Sequence, residues 1–187
     1  MVNAFRLVRT LFFLFVVTLG LMLLFRLGEA RGDDVVSSVA QAVRTLQPGA
    51  SVERAEELAR VIVDAGRETE LDPLLITAIT FRESSFARSR ESLESLGERG
   101  ERGLMQVHGV ALRFRPDACP HSLEGAECQI RTGARFLAYC REACPGSQWR
   151  WVGAYGMSRC PSEQEAGMMP SVRVVARYHR EIGGSGW

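Results

Sequence analysis

One stretch decides how much of the chain is left to fold. From Leu11 to Phe25 only Thr18 and Gly20 interrupt a run of large apolar side chains. Such a run has no polar face, so it does not suit the surface of a globular domain. Arg6 and Arg9 precede it, and Gly28-Glu29-Ala30 has the small-x-small pattern of a signal-peptidase site, which makes Arg31 the mature N-terminus. A membrane-spanning helix wants about 20 apolar residues, and this run is shorter, which favours a cleaved signal peptide. The alternative is a retained anchor, because Arg26 follows the run directly and Glu29 is large and charged. On both readings residues 1–30 export the rest to the periplasm or cell envelope, and the chain meets a membrane only through this segment. No cysteine lies near the cleavage site, which argues against a lipoprotein.

The remainder of the 187 residues is enough for one domain. The net charge of +1 gives no bulk attraction for nucleic acid. Cys119, Cys128, Cys140, Cys144 and Cys160 all lie in the C-terminal third. In an exported chain such cysteines point to disulfides, so two bridges and one free thiol are expected. Cys119–Cys128 would close a proline-containing loop, and Cys160 could pair with Cys140 or Cys144. Cys140 and Cys144 have the spacing of half a metal site, but no histidine accompanies them, and no metal or other cofactor is expected.

Several helices can be read from spacing. Residues 31–50 form a linker or leading helix, with Val35, Val36, Val39, Ala42, Val43 and Leu46 at loosely helical intervals, ended by Gln47-Pro48-Gly49. The domain proper is expected over 51–187. Ser51 is a good N-cap for an amphipathic helix carrying Ala55, Leu58, Ala59, Ile62 and Ala65 on one side. Asp72-Pro73 then opens a second helix, aspartate as cap and proline where its missing N–H costs nothing. Residues 87–103 and 111–127 read as loops, as does Ser158 to Pro170. Between the last two, Cys128 to Ala143 is a helix stopped by Cys144-Pro145-Gly146. Ser171 caps a final helix, and Gly183 to Trp187 is a short flexible tail.

The chemistry gathers at Glu83. It lies four residues beyond Ile79 and seven beyond Ile76, so it shares their buried face at the helix's C-terminal end. Desolvation and the negative end of the helix dipole both disfavour an ionised carboxylate there. The product is a protonated acid available near neutral pH. The plainer alternative is an ion pair with Arg82 or Arg88 at a frayed end. Glu94, Glu98 and Glu101 are candidates for a second carboxylate, although such loop residues are usually just solvated. His108 has no evident partner.

The motifs then fall in a particular order. Glu83-Ser84-Ser85-Phe86 is followed by Gly100-Glu101-Arg102-Gly103-Leu104-Met105-Gln106-Val107. Downstream come Gln129-Ile130-Arg131-Thr132-Gly133-Ala134-Arg135-Phe136-Leu137, Ala154-Tyr155-Gly156 and the segment from Val172 to Tyr178. This series resembles the soluble-type (SLT) lytic transglycosylases, over roughly residues 55–182. The family has a Glu-Ser-x-Phe helix end, a Gly-x-x-Gly-Leu-Met-Gln segment and an Ala-Tyr-Asn-x-Gly segment. Here Gln129 replaces an asparagine, Gly156 replaces the asparagine after the tyrosine, and Glu101-Arg102 makes the loop before Gly103 unusually charged.

The resemblance implies an all-α, small lysozyme-like helical domain with a glycan groove. Glu83 resembles the catalytic glutamate and Ser84 its neighbour near the substrate. Met105 and Gln106 resemble groove-lining residues, and Tyr155 the tyrosine that approaches the catalytic carboxylate and orients it. The implied substrate is peptidoglycan glycan strands, with a possible cell-envelope or secretion-machinery partner. The implied reaction is non-hydrolytic cleavage to a 1,6-anhydro end, with one glutamate as acid and then base. The alternatives are a hydrolase on the same scaffold and a non-catalytic peptidoglycan-binding or assembly protein.

Overall fold

The computed structural model describes residues 32–87, 100–119, 123–157 and 159–187. The expected signal or anchor segment, and Glu94 and Glu98 of the long loop, lie outside the described residues. Two compact units divide the chain, Met1–Val36 and Ser37–Trp187. The first is helical over residues 32–36. Among the described residues no helix is long and apolar enough to cross a membrane.

The second unit is built from helices: α1 (residues 37–46 within this unit), then α2 (Val52–Thr69) and α3 (Pro73–Ser84). A 3-10 turn (Gly109–Phe114) leads to α4 (Ala126–Ala143), α5 (Gln148–Met157), α6 (Glu163–Met168) and α7 (Pro170–Glu181). Extended pairing among the described residues is limited to one isolated antiparallel bridge, Arg102 to Val107. The described residues are therefore mainly helical, consistent with an all-α fold.

Local chemistry explains the helix starts. The Ser51 hydroxyl accepts the Arg54 N–H at 3.2 Å, and the Asp72 carboxylate accepts the Leu74 N–H at 2.9 Å. Each satisfies one of the donors a first turn leaves unpaired. The expected stripe of α2 is buried: Ala55, Leu58, Ala59, Ile62 and Ala65 are all fully covered. They meet Ile130, Ala134 and Leu137 of α4 and Leu75, Ile76 and Ile79 of α3 in one core. Each large side chain there contributes about 1.5–3 kcal/mol of burial. Val39, Val43 and Leu46 of α1 are buried as well. α3 also packs on α7, and α4 on α5; these contacts bring the end of α3 beside the middle of α5.

Three local expectations change. The stretch expected as a loop from Ser158 to Pro170 contains α6, capped by the Ser162 hydroxyl, which accepts the Glu165 N–H at 3.1 Å. The last helix starts at Pro170 rather than behind a Ser171 cap, because proline's fixed φ suits the first turn. The C-terminal tail is docked. The Trp187 indole N–H donates to His179 Nδ1 at 2.7 Å, and His179 Nε2 lies 2.7 Å from the Asp72 carboxylate. His179 is fully buried, so both ring nitrogens need partners, and the tail supplies one. A side chain at Gly184 would collide with the His179 ring, at 2.1 Å from Nε2.

Disulfides join Cys119 to Cys128 and Cys144 to Cys160, which is compatible with an exported protein. Cys140 is left free and buried, its thiol pushed up to about 12 by burial. The second bridge ties the end of α4 to the segment after α5. Replacing Cys144 and Cys160 together by serine removes a cross-link of sequence separation 16 and should cost about 3 kcal/mol. Urea unfolding of the purified double variant checks this.

Candidate active site

α3 carries Glu83 to the edge of the core and then stops abruptly. Thr77 and Thr80 are buried in its middle, their hydroxyls donating to the Pro73 and Ile76 carbonyls at 2.8 Å. Ser85 ends the helix in the left-handed region at φ 52°, its N–H donating to the Phe81 carbonyl at 2.7 Å. Phe86 follows at φ 55°. A bulky residue in that region is strained, and aromatic packing holds it there. Phe86 is buried and lies 5.4 Å from the Phe81 ring, which meets Tyr178 of α7 edge-on at 5.0 Å. The last turn of α3 is therefore fixed, and Glu83 with it.

The Glu83 side chain is 15% exposed and paired with Arg82. One side of it faces a small cavity of about 100 Å³ walled by Ile79, Val152, Val172, Val175 and Tyr155. Arg82 and Ser171 also reach it. The other side faces a more open cleft of about 400 Å³ shared with Arg82, Glu101, Gln106, His108 and Tyr155. Burial pushes the Glu83 carboxyl above its ordinary value; Arg82 opposes the shift and the Glu101 charge adds to it. The ion pair with Arg82, the plainer sequence reading, is thus present, yet burial outweighs it.

The far wall of the cleft is a tight turn. Arg102 and Val107 exchange both backbone hydrogen bonds, at 3.0 and 2.7 Å, around Gly103-Leu104-Met105-Gln106. Side chains alternate across such a pair. Val107 is buried, while Glu101, Gln106 and His108 reach the cleft. Gly103 has φ 77°, and any side chain there would strike Gln129, 2.5 Å from its amide carbon. Gln129 is itself buried. It accepts the Leu104 N–H at 2.9 Å and donates to the Leu123 carbonyl at 2.8 Å. Gln129 is therefore the brace between α4 and the turn.

The expected site residues separate into two groups. Glu83, Gln106 and Tyr155 come together at the cleft. Met105 does not reach its surface: the side chain is fully buried against Gly133, where an added Cβ would lie 2.5 Å from its sulfur. Its backbone carbonyl instead accepts the Tyr155 hydroxyl at 2.7 Å. That bond directs Tyr155 to the turn and holds α5 against it. Burial, with Glu83's charge behind it, pushes the Tyr155 phenol well above its ordinary value, so it stays a neutral donor. Ser84 lines neither cavity at Glu83; its hydroxyl donates back to the Thr80 carbonyl at 3.0 Å.

The cleft also holds Glu101, a candidate second carboxylate from the sequence, and His108, which was not expected there. Glu101 is not a freely solvated loop residue, being 20% exposed, and His108 is not without a partner: its Nε2 lies 3.2 Å from the Glu101 carboxylate. The signal was their placement one step outside the Arg102–Val107 pair, which makes them cross-strand neighbours. A larger cleft of about 710 Å³ lies between α2, α4 and the 3-10 turn. Three of its charged groups are committed to structure: Glu68 binds Arg135, and Arg141 donates to the Thr69 and Glu70 carbonyls. It offers no partly buried acid comparable to Glu83.

Comparison with protein-family models, with curated proteins and with solved structures gives no match.

Two tests follow from this geometry. Glu83 has a folded value above its unfolded one, so its ionisation begins to cost stability above the unfolded value and costs the full amount above the folded one. Glu83→Gln should therefore melt at a higher temperature than wild type at neutral pH, with the gain vanishing toward about pH 4. Melting curves across that range check the sign. Gln129→Leu keeps the side chain's bulk but strands the Leu104 N–H and the Leu123 carbonyl; it should lose about 1–3 kcal/mol per stranded group in chemical unfolding.

Proposed function

We propose that this protein is a lytic transglycosylase that cleaves the β-1,4 bond between N-acetylmuramic acid and N-acetylglucosamine in peptidoglycan without consuming water. One observation carries the reading. A partly buried glutamate with a raised pKa opens on a cleft shared with Gln106 and Tyr155, residues of the motif series that resembles this family. The small all-α fold and the two disulfides are compatible with a lysozyme-like domain working in the cell envelope.

The chemistry follows from the position of Glu83. Protonated, it gives its proton to the glycosidic oxygen, so that the C1–O bond breaks and the N-acetylglucosamine leaves as an alcohol. The positive charge developing at C1 is relieved by the sugar's own 2-acetamido oxygen. Glu83, now a carboxylate, takes the proton from the C6 hydroxyl as that oxygen closes on C1. Glu83 regains its proton, and the product ends in a 1,6-anhydro ring. Tyr155 and the braced turn keep the cleft wall at a fixed distance from the acid. Arg82 steadies the ionised state between the two proton transfers.

A second reading has one observation in its favour. Glu101 lies in the same cleft, and a second carboxylate is what a hydrolase uses to activate water or to stabilise the sugar cation.

Glu83→Gln keeps the shape of the acid and removes its proton transfers. Release of soluble muropeptides from purified peptidoglycan should fall by about a hundredfold or more. Equal release by wild type and variant would contradict the enzyme reading and favour a glycan-binding role.

A further inference from the structure

Glu101 has no task in the single-glutamate reaction, yet it is held in the same cleft and largely covered. The turn Gly103-Leu104-Met105-Gln106 is closed by the paired Arg102 and Val107 backbones and braced by buried Gln129. With side chains alternating, the next pair outward places Glu101 and His108 on the cleft face. His108 Nε2 fixes the Glu101 carboxylate at 3.2 Å, and only 20% of the Glu101 side chain is exposed. Both line the cleft that Glu83 lines.

We propose that Glu101 is a second functional carboxylate of this cleft, a positioning residue that acts through Glu83: its charge keeps Glu83 protonated before the bond breaks and strengthens it as a base afterwards. The inference rests on the reading of Glu83 as the acid, and it holds whether the sugar's own hydroxyl or water attacks. The physical reason is elementary. Two like charges facing one partly dry cleft resist being ionised together. Among the described residues, the other ionisable groups facing Glu83 are Arg82 on its own helix, His108 on the turn and Tyr155 on α5; α7 contributes Ser171, Val172 and Val175 and no charge. Arg82 pulls toward ionisation, and Tyr155 stays neutral. Burial is the main influence against Arg82, and Glu101 is the charged group that adds to it.

The test uses the full chain as wild type, Glu101→Gln, Glu101→Asp and Glu83→Gln. The Glu83 carboxyl is titrated by carbon-13 NMR, assigned by its loss in Glu83→Gln, and glycan release is followed against pH. In Glu101→Gln the Glu83 midpoint should move to lower pH. The alkaline limb of glycan release should move with it, and release at neutral pH should fall about tenfold. Glu101→Asp should restore both, and both Glu101 variants should melt within about 3 °C of wild type. An unmoved Glu83 midpoint in Glu101→Gln overturns the inference. So does a midpoint that moves while the alkaline limb stays, with Glu83→Gln inactive; there the acid stands and Glu101 has no part in its work. Equal glycan release by wild type and Glu83→Gln instead removes the acid itself, and this inference with it.

Discussion

The cost of keeping one carboxylate partly out of water organises this domain. Glu83 stands at the end of α3 with apolar side chains from α3, α5 and α7 on one side and a cleft on the other. A glutamate that needed only to pair with Arg82 could sit on the surface, where such a pair contributes little either way. Here burial dominates and the carboxyl is raised despite the guanidinium beside it. The fold bears that cost through strain that its packing holds in place. Ser85 and Phe86 both adopt left-handed backbone, and Phe86 packs on Phe81, which Tyr178 meets edge-on.

The second constraint is the turn facing Glu83. Its own bonds close it, from Arg102 to Val107 and from Gln106 back to the Gly103 carbonyl, and other elements brace it from outside. Gln129 from α4 reaches its Leu104 N–H, Tyr155 from α5 reaches its Met105 carbonyl, and the Met105 side chain fills the space that Gly133 leaves open. Two helices, α4 and α5, therefore converge on four residues. The result is a rigid wall that presents Gln106, Glu101 and His108 to the cleft at a defined distance from the acid. Rigid support of this kind matters in catalysis, because small displacements of a proton donor cost rate steeply.

Much of the scaffold was legible in the chain. Ser51 and Asp72-Pro73 announce their helices, and the spacing of Leu58, Ile62, Ile76 and Ile79 places the core stripes where the structure has them. Glu83 could be placed at a buried helix end for the same reason. The cleft's other half was less legible, since it depends on pairing across a turn and not on periodicity along a helix. Glu101 and His108 look like solvated loop residues until the Arg102–Val107 register is known. Met105 looked like a groove residue because motif order does not say which way a side chain points; Gly133, far along the chain, decides that. The docking of Trp187 on His179 is of a related kind, because the His179 ring is held on its other side by Asp72, far back in the chain.

The proposed reaction is defined by what replaces water at C1. The most direct measurement is digestion of purified peptidoglycan by the full chain in water enriched in oxygen-18, with the new glycan ends read by mass spectrometry. Intramolecular attack by the C6 hydroxyl leaves 1,6-anhydro ends that carry no oxygen-18. Reducing ends labelled with oxygen-18 would contradict the proposal and make the protein a hydrolase.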